Sequence, residues 1–243
     1  SAKSGAVAQE ASKVKSEIAT VDKQDDVSSW LKDAKNVIIV PGYGMAVSQA
    51  QSRVKMLADK LESMGKNVRF AIHPVAGRMP GHMNVLLCEV DIPYEKLYEM
   101  EAINGDFEKT DLVIIIGASD VVNPAANTAE GTPIYGMPVL EADKGKHIII
   151  CNFDLKPGYA GVPNPLYEMK EKVHLLLGDA KDSIDTLLSK LSGSSTSKAE
   201  TNSDSKEDNV SSWVKDAKNV IIVPGYGMAV SQAQSRVKML ADK

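Results

Sequence analysis

The segment Val27–Lys60 occurs a second time in this chain, as Val210–Lys243. The two copies differ at one of 34 positions, where Leu31 corresponds to Val214. Both contain VIIVPGYGMAVSQAQSRVKMLADK, in which an apolar run is followed by Gly-Tyr-Gly and then by a helical pattern. This order of strand, glycine turn and helix is typical of the start of a dinucleotide-binding fold. Only the first copy is followed by enough chain to build a domain.

Composition excludes several classes of partner. The chain is 43% hydrophobic and 25% charged with a net charge of −4, and it has no large basic block, so nucleic acid is not expected. Its two cysteines, Cys88 and Cys151, lie in apolar stretches and are predicted to be buried thiols. No apolar run approaches the roughly 18 residues of a membrane span. The chain starts without a methionine and stops inside a helical pattern, so we expect a fragment of a longer protein.

Sequence composition also divides the chain into four parts. Residues 1–26 are rich in Ala, Lys and Ser and are predicted to be a flexible lead-in. Residues 27–191 form the predicted domain. Residues 192–209 contain no Ile, Leu, Val, Met or aromatic residue, which predicts a disordered linker. Residues 210–243 are the partial repeat, and we expect them to form no second cofactor site.

From Asn36 onward, strand and helix patterns alternate. The predicted strands are Val37–Val40, Val68–Ile72, Lys96–Glu99, Leu112–Ile116, His147–Cys151 and Val173–Leu177. The predicted helices are a short one capped by Ser28 or Ser29 and running through Lys35, then Ala46–Met64, Gly81–Glu89 and Asp179–Leu191. The apolar stripe of the longest helix consists of Ala50, Val54, Leu57, Leu61 and Met64, and Gly65 ends that helix. This alternation predicts an α/β fold with a six-stranded parallel, doubly wound (Rossmann-like) sheet and flanking helices.

Unusual polar or glycine-rich loops follow four of these strands, at Pro41–Ala46, His73–His82, Gly117–Pro124 and Asn152–Val162. Open α/β sheets bind ligands outside the carboxyl ends of their strands, so these loops predict a ligand site. In the first loop, Gly42 permits a tight turn and Gly44 permits a pyrophosphate to approach the backbone. Val47 completes a G-x-G-x-x-V pattern, and the helix N-terminus favours an anion. The alternative is an ordinary glycine turn.

The other loops supply candidate side chains, each with a structural alternative. Arg78 is a candidate phosphate partner, or else a solvated surface residue. Asp120 is a candidate cofactor contact, or else a helix N-cap. The segment 158–161 is a candidate lid that covers a ligand with Tyr159, or else an ordinary connection. His73 and His82 lack partners at metal-ligand spacing, so no metal site is predicted. No catalytic triad pattern is present in the sequence either, which fits hydride transfer, where the cofactor carries the chemistry.

Six motifs of the chain occur in a characteristic order. They are GYGMAVSQAQ, IHPVAGRMPGHMNVLL, GASDVVNPAA, GMPVLEA, GYAGVPNPLY and LLLGDAKDSID. Over about Ser28 to Leu191 the chain resembles the NADP(H)-binding domain of proton-translocating nicotinamide nucleotide transhydrogenase. The resemblance implies an enzyme that couples hydride transfer between NAD(H) and NADP(H) to proton movement across a membrane. It implies as partners an NAD(H)-binding domain and a transmembrane proton-channel domain, in a dimeric complete enzyme. The chain would be a peripheral, soluble part of that membrane-bound enzyme and active only with those domains.

The resemblance also assigns roles to matching residues. The first cofactor turn consists of Gly42, Tyr43, Gly44, Ala46 and Val47. The loop at the nicotinamide and pyrophosphate consists of Val75, Ala76, Gly77 and Arg78. The loop after the fourth strand contributes Gly117 and Asp120, and Asp120 is implicated in communication with the membrane domain. The lid consists of Gly158, Tyr159 and Ala160. The 2′-phosphate loop corresponds to Asn152, Phe153 and Asp154. The adenosine side is bordered by Gly178, Asp179 and Ala180.

The chain departs from the family pattern at two places. The family usually has Asn where this chain has Ser119, and Lys-Arg-Ser where this chain has Asn152-Phe153-Asp154. Two cations are lost from the loop that grips the 2′-phosphate, and an anion is gained. Lys156 is near enough in sequence to substitute. NADP(H) is the cofactor that the resemblance implies, and the altered loop makes NAD(H) the other candidate.

Three functions are compatible with these observations. The leading one is the NADP(H)-binding component of transhydrogenase, which positions the nucleotide for hydride exchange with NAD(H) on a partner domain. The second is a nucleotide-binding regulatory module without hydride transfer, which the altered loop and the repeat favour slightly. The third is a stand-alone dehydrogenase, which the missing substrate domain and acid/base pair disfavour.

Overall fold

In the computed structural model, residues 24–192 are described. The predictions for residues 1–23, for the linker beyond residue 192 and for the repeat 210–243 lie outside them. The described strands are β1 (Asn36–Pro41), β2 (Asn67–Ile72), β3 (Leu97–Glu99), β4 (Leu112–Ile116), β5 (His147–Asn152) and β6 (Val173–Leu177). All neighbours pair in parallel, in the order β3-β2-β1-β4-β5-β6. The predicted six-stranded Rossmann-like fold is therefore confirmed, and each strand end lies within one residue of its prediction.

The central strands are buried on both faces, because helices and loops cover each side of the sheet. In β1, β4 and β5 every residue but Asn36 and His147 is buried. Alternate residues enter two separate cores, so that Ile39 and Ile114 pack on one face and Ile38 and Ile115 on the other. Continuous β-branched runs such as Leu112–Ile116 are the sequence consequence of this double burial.

Seven α-helices flank the sheet within the described residues. They are α1 (Gln24–Asp33), α2 (Tyr43–Val47), α3 (Gln51–Ser63), α4 (His82–Cys88), α5 (Met100–Ile103), α6 (Ala125–Thr128) and α7 (Ala180–Ser192). Short 3-10 turns occupy Tyr94–Lys96, Asn104–Lys109, Asp120–Val122, Ala142–Lys144 and Pro165–Glu168. The predicted cap at Ser28 or Ser29 is wrong, because α1 already begins at Gln24. The hydroxyl of Ser29 instead donates to the backbone carbonyl of Asp26 at 2.8 Å.

The predicted helix Ala46–Met64 is two helices, α2 and α3. The chain leaves α2 at Gln49, whose φ of 53° is left-handed. The amide of Gln49 donates to Ala46 O and the amide of Ala50 donates to Met45 O, both as in a Schellman helix end. Sequence reasoning missed this end because the left-handed residue is not a glycine.

The second helix of this pair ends as predicted. Gly65 has a φ of 81° and donates to Glu62 O, which terminates α3. The predicted apolar stripe is buried at Ala50, Val54, Leu57 and Leu61. Met64 is 39% exposed, because it lies beyond the last turn of the helix.

The two thiols differ in burial. Cys151 is buried in β5, and burial raises its pKa to about 12. The prediction for Cys88 is wrong, because its side chain is exposed at the end of α4. Among residues 24–192, no helix is both long and apolar enough to cross a membrane.

The strand order reverses beside β1. The chain moves outward from β1 to β2 and β3, then returns to β4 on the other side of β1. The connections after β1 and β4 therefore leave the sheet in opposite directions and open a crevice at the carboxyl ends of these strands. Pro41 and Ile116, the last residues of the two strands, pair in register at this point.

Candidate functional site

Two glycine turns form the base of the crevice. The amide of Gly42 donates to Ile116 O and the amide of Gly44 donates to Gly117 O, each at 2.8 Å. A Cβ on Gly44 would lie 2.7 Å from Gly117 Cα, and a Cβ on Gly42 would overlap Gly117 O. Gly117 itself has a φ of +67° and leaves no room for a Cβ beside Met45 N. The turns after β1 and β4 thus pack backbone against backbone, which only glycine permits.

This packing changes the explanation of the first turn. The sequence hypothesis explained Gly44 by the approach of a pyrophosphate, whereas the nearer cause is the contact with Gly117. The helix that follows is also only five residues long, and the amide of Gly44 is already bonded to Gly117 O. The helix whose N-terminus we expected to bind an anion is therefore short, and one of its first amides is already hydrogen-bonded to Gly117 O.

A cleft of about 810 Å³ opens above these turns, within the roughly 300–1,000 Å³ typical of small-molecule sites. Predicted site residues that line it are Gly42, Tyr43, Gly44, Val75, Ala76, Gly77, Arg78, Gly117, Asp120, Gly158 and Tyr159. Further lining residues are Ala118, Ser119, Val121 and Met137. Three of these four lie inside the predicted loop Gly117–Pro124, and Met137 lies in the GMPVLEA motif. We call this cavity the large cleft.

Two histidines hold the loop that forms one wall of the large cleft. His73 is buried, its Nε2 lies 2.7 Å from Pro138 O, and its Nδ1 accepts from the amide of Val75. These bonds require a neutral ring with the proton on Nε2, and burial lowers the pKa of His73 accordingly. His82 Nδ1 accepts from the amide of Arg78 at 3.0 Å. Neither role was predicted; the signal was an otherwise unexplained histidine at each end of the loop.

The guanidinium of Arg78 lies on the wall of the large cleft. Its Cζ is 4.6 Å from the centroid of the Tyr43 ring, which is the geometry of a cation–π contact. The residue is exposed, as in the surface alternative, yet it faces the cavity beside the first glycine turn. Tyr43 thereby holds the one cation found in the lining of the large cleft between residues 24 and 192.

Asp120 fastens the predicted lid. Its Oδ2 accepts from the amide of Ala160 at 2.8 Å, and a Cβ on Gly158 would overlap the carboxylate. The N-cap alternative is wrong, since Ser119 occupies the cap position and the Asp120 side chain bonds to the lid instead. Its Oδ1 is buried and has no hydrogen-bond partner among the described residues. Tyr159, at the tip of the loop, is fully exposed.

The two departures from the family pattern meet in one polar network. Asn152 Nδ2 donates to Ala118 O at 2.8 Å and to the Tyr167 hydroxyl at 3.1 Å. The Tyr167 hydroxyl in turn lies 3.3 Å from Ser119 Oγ. Asn152 is 7% exposed and does not line the large cleft, and its bond to Ala118 ties the ends of β4 and β5 together. Tyr167 was not predicted, because nothing in the sequence connects it to Ser119.

A second cleft of about 240 Å³, here called the small cleft, adjoins the large one at Gly44 and Gly117. It is lined by Gly44, Val47, Ser48, Gly117, Cys151, Phe153, Gly178, Asp179 and Ala180. The ring of Phe153 is 79% exposed. Asp179 is the only charged residue of this lining, and its Oδ1 accepts from the amide of Lys181 at the start of α7. Ser48 and Cys151 were not predicted.

Four predicted site residues line neither cleft: Ala46, Asn152, Asp154 and Ala160. Ala46 packs against the core, and Ala160 contributes only its amide to Asp120. Asp154 accepts from the amide of Lys156 and lies 3.5 Å from the ammonium group of the same residue.

Another cavity, of about 530 Å³, lies by the loop after β2 and contains none of the predicted site residues. Its lining consists of Ile72, Pro74, Pro80, Gly81, Asn84, Val85, Tyr94, Glu99, Met100 and Glu101. Between residues 24 and 192, no group of three or more His, Cys, Asp or Glu side chains is placed to hold a metal ion.

Comparison with known proteins identifies one family. The model of the NAD(P) transhydrogenase beta subunit family matches residues 1–190 and 188–243. Two sequences from Rhodospirillum rubrum, each described as NAD(P) transhydrogenase subunit beta, are 50% identical over 157 residues. That match covers 65% of this chain and 34% of the relative, so the chain spans about a third of the length of these relatives. A solved exopolyphosphatase-related protein from Bacteroides fragilis aligns at 16% identity with a TM-score of 0.39, covering 69% of this chain and 43% of that one.

Proposed function

This chain belongs to the NAD(P) transhydrogenase beta subunit family, and on that premise we propose that its two clefts hold one nicotinamide dinucleotide for hydride exchange. The observation that carries the proposal is the junction of the clefts at Gly44 and Gly117, at the ends of β1 and β4. This is the place where open parallel sheets bind nucleotides. The elongated pair of cavities suits a ligand with two ends, a nicotinamide in the large cleft and an adenosine in the small one.

The residues present fit such a ligand. Arg78 is placed to pair with a pyrophosphate, and Tyr43 fixes its guanidinium. The buried Asp120 Oδ1 lacks a donor among the described residues, and a carboxylate oxygen left in that state is costly. Because the lid at Gly158 lies against that oxygen, a ribose hydroxyl or a carboxamide N–H of the dinucleotide would reach it once the lid shifts. Val75 and Ala76 provide an apolar wall for a nicotinamide ring.

The chain's own contribution is positioning, because the nicotinamide supplies the hydride chemistry. Arg78 anchors the phosphates, while His73 keeps the apolar wall at Val75 in place. The lid, fastened to Asp120, places Tyr159 at the rim of the large cleft. No residue of the chain needs to exchange a proton with the substrate, because the transferred group is a hydride carried by the nicotinamide.

Hydride exchange requires the second nicotinamide to reach this site from outside. Val75 is 63% exposed and Tyr159 fully exposed, so the mouth of the large cleft is open to an apposed NAD(H)-binding domain. We assign as further partners the transmembrane proton-channel domain and a second copy in a dimeric complete enzyme, in which this chain is a peripheral part. These assignments rest on family membership and on the resemblance of the motifs.

The proposed function is tested by reconstitution. The full chain is mixed with a transhydrogenase NAD(H)-binding domain, and hydride transfer from bound NADPH or NADH to an NAD analogue is followed by absorbance. We expect turnover that requires both proteins and that falls in Arg78→Ala. The matched control is Arg53→Ala, which removes a half-exposed arginine of α3 that pairs with Asp185 of α7, away from the large cleft.

The second candidate is a regulatory module that binds nucleotide without hydride transfer. The altered loop at Asn152, Phe153 and Asp154 favours it, because this loop corresponds to the family's 2′-phosphate loop and its change alters which nucleotide the chain binds. It predicts saturable nucleotide binding with no turnover when the NAD(H)-binding domain is added. Turnover at any rate above that of the separate proteins would exclude it.

A further inference from the structure

We propose that the small cleft accepts a dinucleotide without a 2′-phosphate, so that the chain binds NAD(H) at least as tightly as NADP(H). The inference rests on the proposed function, since it concerns the adenosine end of the same site. It concerns a set of three residues, Asn152, Phe153 and Asp154, none of which is a cation and of which Phe153 lines the small cleft.

The charges that line the two clefts are the first argument. Among the described residues that line them, Arg78 is the only cation, and Asp120 and Asp179 are the two anions. NAD carries a pyrophosphate, which Arg78 is placed to neutralise. NADP adds a phosphate that holds about two further charges near neutral pH. Among the described lining residues no second cation is present to offset that charge, and losing the hydration of a phosphate without compensation is costly.

The side chain of Asn152 is the second argument. Its amide nitrogen donates to Ala118 O and to the Tyr167 hydroxyl, and the side chain is almost fully buried. A residue at this position that contacted a nucleotide phosphate would have to leave the network with Tyr167 and Ser119. Asn152 therefore serves as a positioning residue between β4 and β5.

The nearby charged pair is the third argument. Asp154 accepts from the amide of Lys156, and the Lys156 ammonium lies 3.5 Å from the same carboxylate. Lys156 lines neither cleft, and its side chain is 84% exposed. A 2′-phosphate approaching this loop would meet the carboxylate that already holds the ammonium, so repulsion offsets the attraction.

Phe153 completes the set. Its ring is 79% exposed at the rim of the small cleft, beside the start of α7. An exposed aromatic ring here can pack against an adenine or a ribose, because both present apolar faces. It offers no hydrogen bond to a phosphate. The small cleft therefore offers the adenosine an apolar contact, and its described lining contains no cation to pair with a phosphate.

The test measures the dissociation constants of NADH and NADPH for the full chain by calorimetry under one salt condition. We expect NADH to bind as tightly as NADPH or more tightly. If NADPH binds more tightly than NADH beyond experimental error, the inference is overturned. If Lys156→Gln then removes that preference, Lys156 is identified as the cation that supplies the grip. Binding of neither nucleotide would instead contradict the proposed function.

The decisive variant is Phe153→Arg, which adds a guanidinium at the rim of the small cleft. We expect the ratio of NADPH affinity to NADH affinity to rise about tenfold or more, as for a charge-assisted hydrogen bond of about 1.5–3 kcal/mol. Phe153→Gln controls for loss of the ring. Tyr94→Arg controls for net charge, because Tyr94 is 66% exposed in the separate cavity by the loop after β2.

The three variants give separable outcomes. A rise of the affinity ratio in Phe153→Arg, without a rise in the two controls, supports the inference. An unchanged ratio in a folded Phe153→Arg chain overturns it, since the small cleft would then not hold the 2′ position. An equal rise in Tyr94→Arg also overturns it, because the effect would come from net charge alone.

Discussion

The large cleft and the small cleft share two glycines and yet are built in different ways. The large cleft has a cation fixed on an aromatic ring, a wall held by two histidines and a lid fastened by a carboxylate. The small cleft has an exposed phenyl ring, and Asp179 is the only charge in its described lining. One cleft therefore presents a fixed cation beside a fastened loop, whereas the other presents an exposed aromatic residue and a single carboxylate among its described lining residues.

The largest effect is expected where the two clefts join. Gly117→Ala forces a side chain into a left-handed backbone and against Met45 N, so we expect a loss of about 3 kcal/mol of unfolding free energy. Gly131→Ala is the control, because Gly131 has a similar φ of +79° with nothing within 4 Å. It should lose only about 1 kcal/mol. Urea unfolding measures both, and equal losses would show that backbone packing between the turns is unimportant.

The next largest effect concerns nucleotide affinity and distinguishes the large cleft from the small cleft. Arg78→Ala removes the cation of the large cleft, and nucleotide affinity should fall roughly ten- to hundred-fold, as for a charge-assisted hydrogen bond. NADH and NADPH should lose affinity by similar factors, because both carry the pyrophosphate. Calorimetry measures this, with Arg53→Ala as the control. A loss within twofold would return Arg78 to the solvated-surface interpretation.

A smaller effect compares one carboxylate from each end. Asp120→Ala removes the acceptor of the Ala160 amide, so hydrogen exchange of that amide should accelerate about tenfold or more. Asp154→Ala removes the same charge at the other end and should leave that amide unchanged, because Asp154 bonds within its own turn. Exchange of Ala160 at the same rate in both variants would contradict the lid contact.

The smallest effect is a pH dependence of stability. Burial lowers the pKa of His73 below its usual 6.5, so the unfolded chain binds the proton more readily than the folded chain. Stability is then full above about pH 6.5 and is lost as the pH falls from there toward the lowered pKa. His73→Gln should make the unfolding free energy less dependent on pH between about pH 7.5 and 5.5. Urea unfolding at a series of pH values measures this in both chains. The same change of unfolding free energy with pH in both would refute this role of His73.

The fold was predictable because its strands are buried on both faces, so continuous apolar runs such as Leu112–Ile116 have no other stable place. The division between α2 and α3 was not predictable, because Gln49 adopts a left-handed conformation that its residue type does not signal. Residue type also misled at Cys88, where an apolar stretch ends on the exposed face of a helix.

The candidate site was also predictable from the sequence only in part. The loops at the strand ends were predictable, because glycine, proline and histidine interrupt the apolar pattern there. The contacts that hold these loops were not, since they join residues far apart in the chain. Asp120 meets Ala160 after 40 residues, and Tyr167 meets Ser119 after 48. Such contacts depend on the packing of the sheet, which a local pattern does not contain.

We propose above all that the large cleft and the small cleft, at the ends of β1 and β4, hold the dinucleotide. Hydrogen–deuterium exchange of the full chain with and without saturating NADH or NADPH tests it most directly. We expect slower exchange in the segments 42–48, 75–78, 117–121 and 158–160, with no change in the cavity around Tyr94 and Met100. Protection confined to that cavity, or no protection at a nucleotide concentration that saturates binding, would contradict the account.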